Sequence, residues 1–272
     1  MTYKTKESEN KSNIVFHSIF RVSIFVFSFL FLYPLLPGSL DLRAQEGTDQ
    51  TKADFLFQKP RAFFGLRLGA FFPGTDSGVF DMITKELTLE KGDFDTWDFG
   101  VDLGFSIHER FDLVFSLDIS EQTKSSEFRD YVDDHGFPIT QSTKFSQTPI
   151  TAGIRYLLVP RGRQIGQYTW IPSRIVPYLS AGAGILNYKF EQAGDFIDYS
   201  TMEIFPAVLK SSDNVWVMYL GCGVDYNIYK SLYLTLDFRY SWADDTMSGD
   251  FTGFDPIDLD GIRFTTGIQW HF

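Results

Sequence analysis

The last eleven residues of the 272-residue chain set Ile262, Phe264, Thr266, Ile268, Trp270 and Phe272 against Arg263, Thr265, Gly267, Gln269 and His271 in strict alternation. A period of two puts these sets on opposite faces of one strand. The mostly apolar face closes on a terminal aromatic. In lipid every backbone donor and acceptor must be paired within the protein, so such a strand can cross a membrane only as one stave of a closed barrel. That constraint sets the template for the rest of the chain.

The alternation recurs upstream. Strand one sets Phe64, Leu66, Leu68, Ala70 and Phe72 against Gly65, Arg67, Gly69 and Phe71. Strand two sets Trp97, Phe99, Val101, Leu103, Phe105 and Ile107 against Asp98, Gly100, Asp102, Gly104 and Ser106. Strand three follows after His108-Glu109-Arg110, with Phe111, Leu113, Phe115, Leu117 and Ile119 opposed to Asp112, Val114, Ser116, Asp118 and Ser120. Strand four has Ile150, Ala152, Ile154, Tyr156 and Leu158 facing out and Thr151, Gly153 and Arg155 facing in, with Pro149 marking a bulge or the membrane edge. In strand five Leu179, Ala181, Ala183 and Ile185 oppose Ser180, Gly182 and Gly184; Tyr178 and Tyr188 fall on the small-residue side and imply a parity slip near either end. Strand six sets Trp216, Met218, Leu220, Cys222, Val224 and Tyr226 against Val217, Tyr219, Gly221, Gly223 and Asp225. Strand seven sets Leu232, Leu234, Leu236, Phe238, Tyr240 and Trp242 against Tyr233, Thr235, Asp237, Arg239 and Ser241, and the tail is strand eight. The expected fold is all-β: an eight-stranded antiparallel transmembrane β-barrel with short periplasmic turns and long extracellular loops.

Connection lengths test this independently, because outer-membrane barrels alternate short periplasmic turns with longer extracellular loops. Long segments lie at Pro73–Thr96, Glu121–Thr148, Asn187–Val215 and Ala243–Gly261, and tight turns at His108–Arg110 and Asn227–Lys230. An even strand number puts both ends in the periplasm. Val159–Arg174 is the exception, a longer connection on the short side that carries Arg161, Arg163 and Arg174, whereas Asp and Glu dominate the four long loops. A soluble lipocalin-like barrel would reverse the facing, apolar inside and polar outside. With odd strands ascending, Phe72, Trp97, Trp216, Tyr240 and Trp242 gather at the outer rim and Phe64, Phe111, Tyr156, Tyr226, Trp270 and Phe272 at the inner one. Amphipathic rings suit headgroup level.

The N-terminus carries an expected export signal. Lys4, Lys6, Lys11 and Arg21 precede the apolar run Val22–Tyr33, then Pro34, Pro37 and Gly38 break any helix, and Leu42-Arg43-Ala44 offers a small-residue cleavage site. Residues 1–44 are then the signal peptide, 45–60 a periplasmic lead and 61–272 the barrel. An uncleaved anchor is opposed by His17 and Arg21 inside the apolar stretch. Aromatic residues make up 17% of the chain, in keeping with two girdles. Cys222 is the only cysteine, so no intramolecular disulfide and no paired-cysteine zinc site can form. A net charge of −11 argues against nucleic acid, a polyanion bound by clustered Lys and Arg.

The signal, the amphipathic strands, the stretch Pro177-Tyr178-Leu179-Ser180-Ala181-Gly182-Ala183-Gly184 and the ending Gln269-Trp270-His271-Phe272 together resemble the small outer-membrane barrels of the OmpA, OmpX, OmpW and opacity-protein type. The resemblance covers about residues 61–272. It implies an outer-membrane location among lipid and lipopolysaccharide, and a closing strand whose Trp270 and Phe272 are read by the barrel-assembly machinery. No periplasmic peptidoglycan-binding domain is expected after strand eight, a departure from full-length OmpA.

The inward faces carry Arg67, Arg155, Arg239 and Arg263 together with Asp98, Asp102, Asp112, Asp118, Asp225 and Asp237. Strand direction sorts Asp98, Asp118, Arg239 and Arg263 high, Arg67, Asp102 and Asp237 central, and Asp112, Arg155 and Asp225 low. Each level holds both signs, as a packed polar core requires in a barrel barely wide enough for its own side chains. A conducting path through that network is the alternative. Lipid remodelling would need a His and a Ser, or comparable groups, facing lipid near the outer rim. His17, His108, His135 and His271 supply no such pairing, so no catalytic residue is expected. No cofactor is expected either. Asp244, Asp245, Asp250, Asp255, Asp258 and Asp260 crowd the last long loop. Asp255, Asp258 and Asp260 form a weak candidate cation site without EF-hand spacing, weighed against a solvated, repulsive surface. The same acidic loops could instead bind an extracellular ligand. The leading expectation is a structural or surface-interaction protein; the runner-up is a narrow, porin-like channel for small or apolar solutes, and a lipid-modifying enzyme comes last.

Overall fold

A computed structural model of the chain describes residues 56–133, 135–165, 169–198, 201 and 203–272. The expected signal peptide and most of the lead lie outside the described residues. Eight long strands form the wall: β1 (Ala62–Pro73), β2 (Thr96–His108), β3 (Phe111–Val132), β4 (Pro138–Leu157), β5 (Ile175–Ile197), β6 (Ile204–Tyr229), β7 (Leu232–Trp242) and β8 (Gly261–His271). Each pairs antiparallel with its neighbours in chain order, and β1 pairs with β8 from Phe63↔His271 to Pro73↔Gly261, which closes the barrel. Closure leaves no unpaired edge within the ring, the condition for spanning lipid.

Side-chain facing follows the alternation. Phe64, Leu66, Leu68, Ile150, Ile185, Leu220 and Ile268 are exposed on the outer face, while Arg67, Asp102, Arg155, Asp225 and Thr235 are buried inside. This is the reverse of a soluble barrel. Trp97 (73% exposed) and Trp216 (76%) mark the outer boundary of the apolar belt, and Trp270 (65%) the opposite end. No helix among the described residues is long and apolar enough to cross a membrane.

Two features of the wall differ from the sequence reading. Tyr178 and Tyr188 involve no parity slip: the β4–β5 and β5–β6 registers run unbroken, and both rings point inward and are buried. Glycine makes the room, since a Cβ at Gly223 would collide with the Tyr178 ring. Pro149 brings no bulge. The β3–β4 register is the same on both sides of it, Leu117↔Ile150 and Ser120↔Gln147, and the ladder skips only the two pairs at Pro149, which has no N–H to give, and its neighbour Thr148.

The larger difference lies outside the belt. Residues 121–148 and 187–215, expected as loops, are for the most part strand: β3–β4 and β5–β6 rise well beyond the wall as two long hairpins, joined to each other through β4–β5 pairs up to Gln141↔Gly194. The outward face changes at one level across this sheet, from Ile150, Ile185 and Trp216 to Thr148, Asn187 and Asn214, then to Ser146, Lys189 and Ser212. The inward face changes with it. Phe145, Leu186, Tyr188, Phe190 and Val217 there form a buried apolar cluster.

The other two long connections complete that cluster. Between β1 and β2 lie a helix α1 (Gly78–Glu86) and a 3₁₀ turn (Lys91–Phe94); Val79, Phe80 and Ile83 line the buried side of α1. Asp81 in its first turn and Lys85 in its last suit the helix dipole. The helix stops where Leu87 turns extended and bridges to Phe128, and Thr88 N–H donates to Glu127 O (2.9 Å), covering the free edge of β3. The β7–β8 connection adds a short ladder (Asp244–Asp245 with Ile257–Asp258) and buries Met247, Phe251, Ile257 and Leu259. Phe80 meets Phe94, Phe145 and Phe190 edge-on at 5.0, 5.5 and 5.9 Å. Fully burying each such ring is worth roughly 1.5–3 kcal/mol. The outer end of the barrel thus carries a cap with an ordinary apolar core.

Candidate functional site

The bore of the barrel is the densest polar feature of the molecule. All ten charged residues expected in the lumen are buried there. At the outer level Arg263 Nε donates to Asp98 Oδ1 (3.2 Å), its Nη1 donates to Ser241 Oγ (3.1 Å), and its guanidinium lies over Phe71 at 4.0 Å. In the centre Arg67 reaches three carboxylates, Asp102 at 2.8 Å, Asp118 at 2.7 Å and Asp237 at 3.7 Å. Arg239 joins them, 2.6 Å from Asp237, 3.6 Å from Asp102 and 3.7 Å from Asp118. Arg239 and Asp118, expected nearer the outer end, therefore lean into the central cluster. Ser116 Oγ donates to Asp102 (2.6 Å) and Tyr178 donates to Asp237 (2.6 Å).

At the inner level Arg155 is 3.6 Å from Asp225 and sits between the rings of Tyr178 (4.1 Å) and Phe63 (5.1 Å). Asp112 receives a partner that the strand pattern did not supply. Arg161, from the connection between β4 and β5, enters the bore and donates through Nη1 to Asp112 Oδ1 (3.2 Å) and through Nη2 to Oδ2 (2.7 Å), with Asp225 at 3.6 Å. Such two-pronged pairing is the strongest that arginine makes with a carboxylate. The connection holds a small hairpin of its own, Gly162–Ile165 with Thr169–Pro172, and Leu56 exchanges two 2.9 Å backbone hydrogen bonds with Trp170. Below Arg161 the Phe63 and His271 rings stack at 5.0 Å, and Tyr233 meets His271 at a tilt, 4.2 Å away.

A signal for Arg161 was present in the sequence. The strand faces alone place four arginines against six aspartates, so a cation had to come from elsewhere, and the arginine-bearing connection on the short-turn side was its nearest source. Five arginines then face six aspartates. Tyr178, Tyr219 and Phe63 also fill the bore; Tyr219 occupies the space that Cβ atoms at Gly153 and Gly182 would need.

The acidic loop does not gather into a cation site. Asp260 Oδ1 accepts from Ala243 N–H (2.9 Å) and Oδ2 from the Tyr240 hydroxyl (2.9 Å), while Asp258 Oδ1 accepts from Asp260 N–H (2.9 Å). Asp255 lies against Gly78 instead. Burial pushes the Asp258 carboxyl above its ordinary range, with Asp260 and Asp76 adding to the effect against the hydrogen bond from Asp260. Among the described residues no three His, Cys, Asp or Glu side chains are placed to hold a metal ion. Of the histidines, His271 is buried in the bore, His108 ends β2 at the turn and His135 lies between β3 and β4. Trp270 and Phe272 are exposed at the inner end.

A closed barrel with apolar side chains outward and ion pairs inward is built for lipid, and its short turns at one end and long excursions at the other are those of the outer-membrane class. The chain is an integral outer-membrane β-barrel. No protein-family model matches it, and no curated protein matches its sequence. Among solved structures it is similar to Neisserial surface protein A, at 11% identity over 78% of this chain and 97% of that one, with a TM-score of 0.46. It is similar also to Ail, the attachment invasion locus protein of Yersinia pestis (13% identity, 79% and 100% covered, TM-score 0.42), and to the outer membrane protein OprG of Pseudomonas aeruginosa (13%, 80% and 100%, 0.42). Likeness at this level concerns the fold and says nothing of activity.

Proposed function

We propose that the chain is a non-conducting, non-enzymatic surface scaffold: a barrel sealed through its length that holds two long hairpins away from the outer leaflet. The observation that carries this reading is double closure. The bore is occupied by its own arginine–aspartate network and an aromatic floor, and the outer end is occupied by an apolar core. An ion crossing it would have to displace buried pairs and then enter a dry cap, each a costly step. None of the histidines placed by the structure lies on the lipid face of the outer rim, where acyl-transfer chemistry would need one. In this reading the partners are outer-leaflet lipid around the belt, the assembly machinery at Trp270 and Phe272, and an extracellular ligand at the hairpin and acidic loop surfaces.

Planar-bilayer recording of the refolded chain tests it. The expected result is a silent bilayer, with discrete openings appearing only when the inner stopper is removed, as in Arg161→Ala combined with Phe63→Ala. Reproducible openings of the unaltered chain that vanish in Asp237→Asn or Arg239→Gln would establish the narrow channel instead. Deleting Phe272 should lower the yield of inserted barrel in cells while leaving refolding in detergent unaffected, which separates recognition by the assembly machinery from stability.

A further inference from the structure

The outward face of β4, β5 and β6 is graded in the same order and on the same register across all three strands. Ile150, Ile185 and Trp216 form its last apolar row, exposed to lipid. Thr148, Asn187 and Asn214 form the next, with Asn187 Nδ2 donating to Asn214 Oδ1 (3.0 Å). Above these come Lys189 and then the row Lys144–Glu191–Lys210. Rows on one face are about 6.7 Å apart along a strand, and strands in such barrels tilt by about 40°, so Lys189 stands about 10 Å above the last apolar row. Headgroups occupy a band of roughly 5–8 Å per leaflet, and the long lysine stem spans the remainder.

The charges on this face are incompletely matched. Glu191 serves two lysines, Lys189 at 2.8 Å and Lys210 at 3.5 Å, while Lys144 pairs with Glu121 at 2.7 Å. Three cations thus share two carboxylates in a chain whose net charge is −11. The hydrogen bond from Lys189, with the charges of both lysines, holds the Glu191 carboxyl below its ordinary range against the opposing effect of burial, so it competes as an anion for the same two ammonium groups. The wall that continues from β6, β7–β8, leads at the same end into Asp244, Asp245, Asp258 and Asp260. The β4–β6 face therefore offers acyl-compatible, hydroxyl-compatible and phosphate-compatible rows in the order that an upright amphiphile presents them.

We propose that this face is a binding site for a phosphorylated, acylated glycolipid of the outer leaflet, with its chains on Ile150, Ile185 and Trp216, its sugar hydroxyls on the Asn187–Asn214 row, and its phosphate held by Lys189 and Lys210 with Lys144 beside them. The site rests on the membrane-barrel reading and adds to it a fixed lipid partner.

The test uses the full barrel in phosphatidylcholine nanodiscs containing a synthetic acylated glucosamine disaccharide with two phosphates or with none, scored by native mass spectrometry. The phosphorylated form should be retained preferentially. Each lysine near an anionic surface is worth about five-fold in affinity, so Lys189→Gln and Lys210→Gln should each weaken retention about five-fold and Glu191→Gln should strengthen it by a similar factor. Opposite signs are the diagnostic. If the lysines serve only to hold the hairpin through Glu191, all three variants will shift retention the same way or not at all, and the proposal fails. Equal retention of the phosphate-free glycolipid overturns it, as does full displacement by excess inorganic phosphate, which would mark a site for a soluble anion. Heat-modifiable gel mobility reports insertion in the same samples; failure of the wild-type chain to insert would remove the membrane reading itself.

Discussion

Below the level of Trp97 and Trp216 the inward side chains of β3–β6 include Asp112, Asp118, Arg155 and Asp225; above it, on the same strands and the same parity, they include Phe145, Leu186, Tyr188 and Phe190. The outward side chains reverse at the same height, from Ile150, Ile185 and Trp216 to Lys144, Lys189 and Lys210. Burial is equal in both regions, so burial alone does not choose the residue type. The surroundings do. Where the outside is lipid it must be apolar, and register is then specified only if the inside differs from it, because a one-residue slip exchanges the two faces. Where the outside is water the requirement inverts, and the inside becomes an apolar core of the usual kind.

The sharpest challenge to this contrast is Arg67→Ala. It removes one of the two cations shared by Asp102, Asp118 and Asp237 and leaves three buried carboxylates to Arg239, a loss of about 3–5 kcal/mol. The folded fraction by heat-modifiable mobility should collapse; wild-type folding would mean the bore is open to water. Phe80→Ala probes the other interior. Large-to-small changes at a buried phenylalanine cost about 3–5 kcal/mol, but here the loss should stay in the cap. Protease added to whole cells should then cut faster within residues 246–254 while the barrel keeps its folded mobility. Leu236→Arg, near mid-height on the lipid face of β7, should cost about 2–4 kcal/mol of barrel stability. Its neighbour Thr235→Ser, which keeps a hydroxyl inside the bore, should cost about 1 kcal/mol or less. If the serine variant proves the more damaging of this pair, the inward and outward assignments are exchanged.

The barrel was legible because lipid and a narrow bore enforce alternation without exception. All eight wall strands were found from it, and the ten strand-borne charges read as inward are buried. The hairpin extensions were not legible for the same reason. Along Ser120, Gln122, Lys124 and Ser126 the inward parity of β3 carries no apolar residue, so no period of two stands out, although pairing with β4 continues from Ser120↔Gln147 to Glu127↔Thr140. Those strands are specified by partners distant in sequence, α1 on one side and the β7–β8 connection on the other. Arg161 was missed because its position depends on a connection with no periodicity at all; only the surplus of aspartate in the bore pointed to it.

The cap draws its core from both sides of the β1–β8 junction. Val79 and Phe80 follow β1, Ile257 and Leu259 precede β8, and all four meet in one cluster. That junction joins residues about two hundred positions apart, from Phe63↔His271 to Pro73↔Gly261, the most expensive loop closure in the fold. The part of the cap core that joins Val79 and Phe80 to Ile257 and Leu259 is complete only when the two ends of the chain have met, so it adds nothing to the speed of closing. Once formed, it acts as a clasp across the junction, and the ring cannot part at that point without first exposing phenylalanines to water. Interactions absent from the folding transition state retard unfolding rather than hasten folding. The cap should therefore lengthen the lifetime of the assembled barrel at the cell surface, a property set by rate and not by equilibrium.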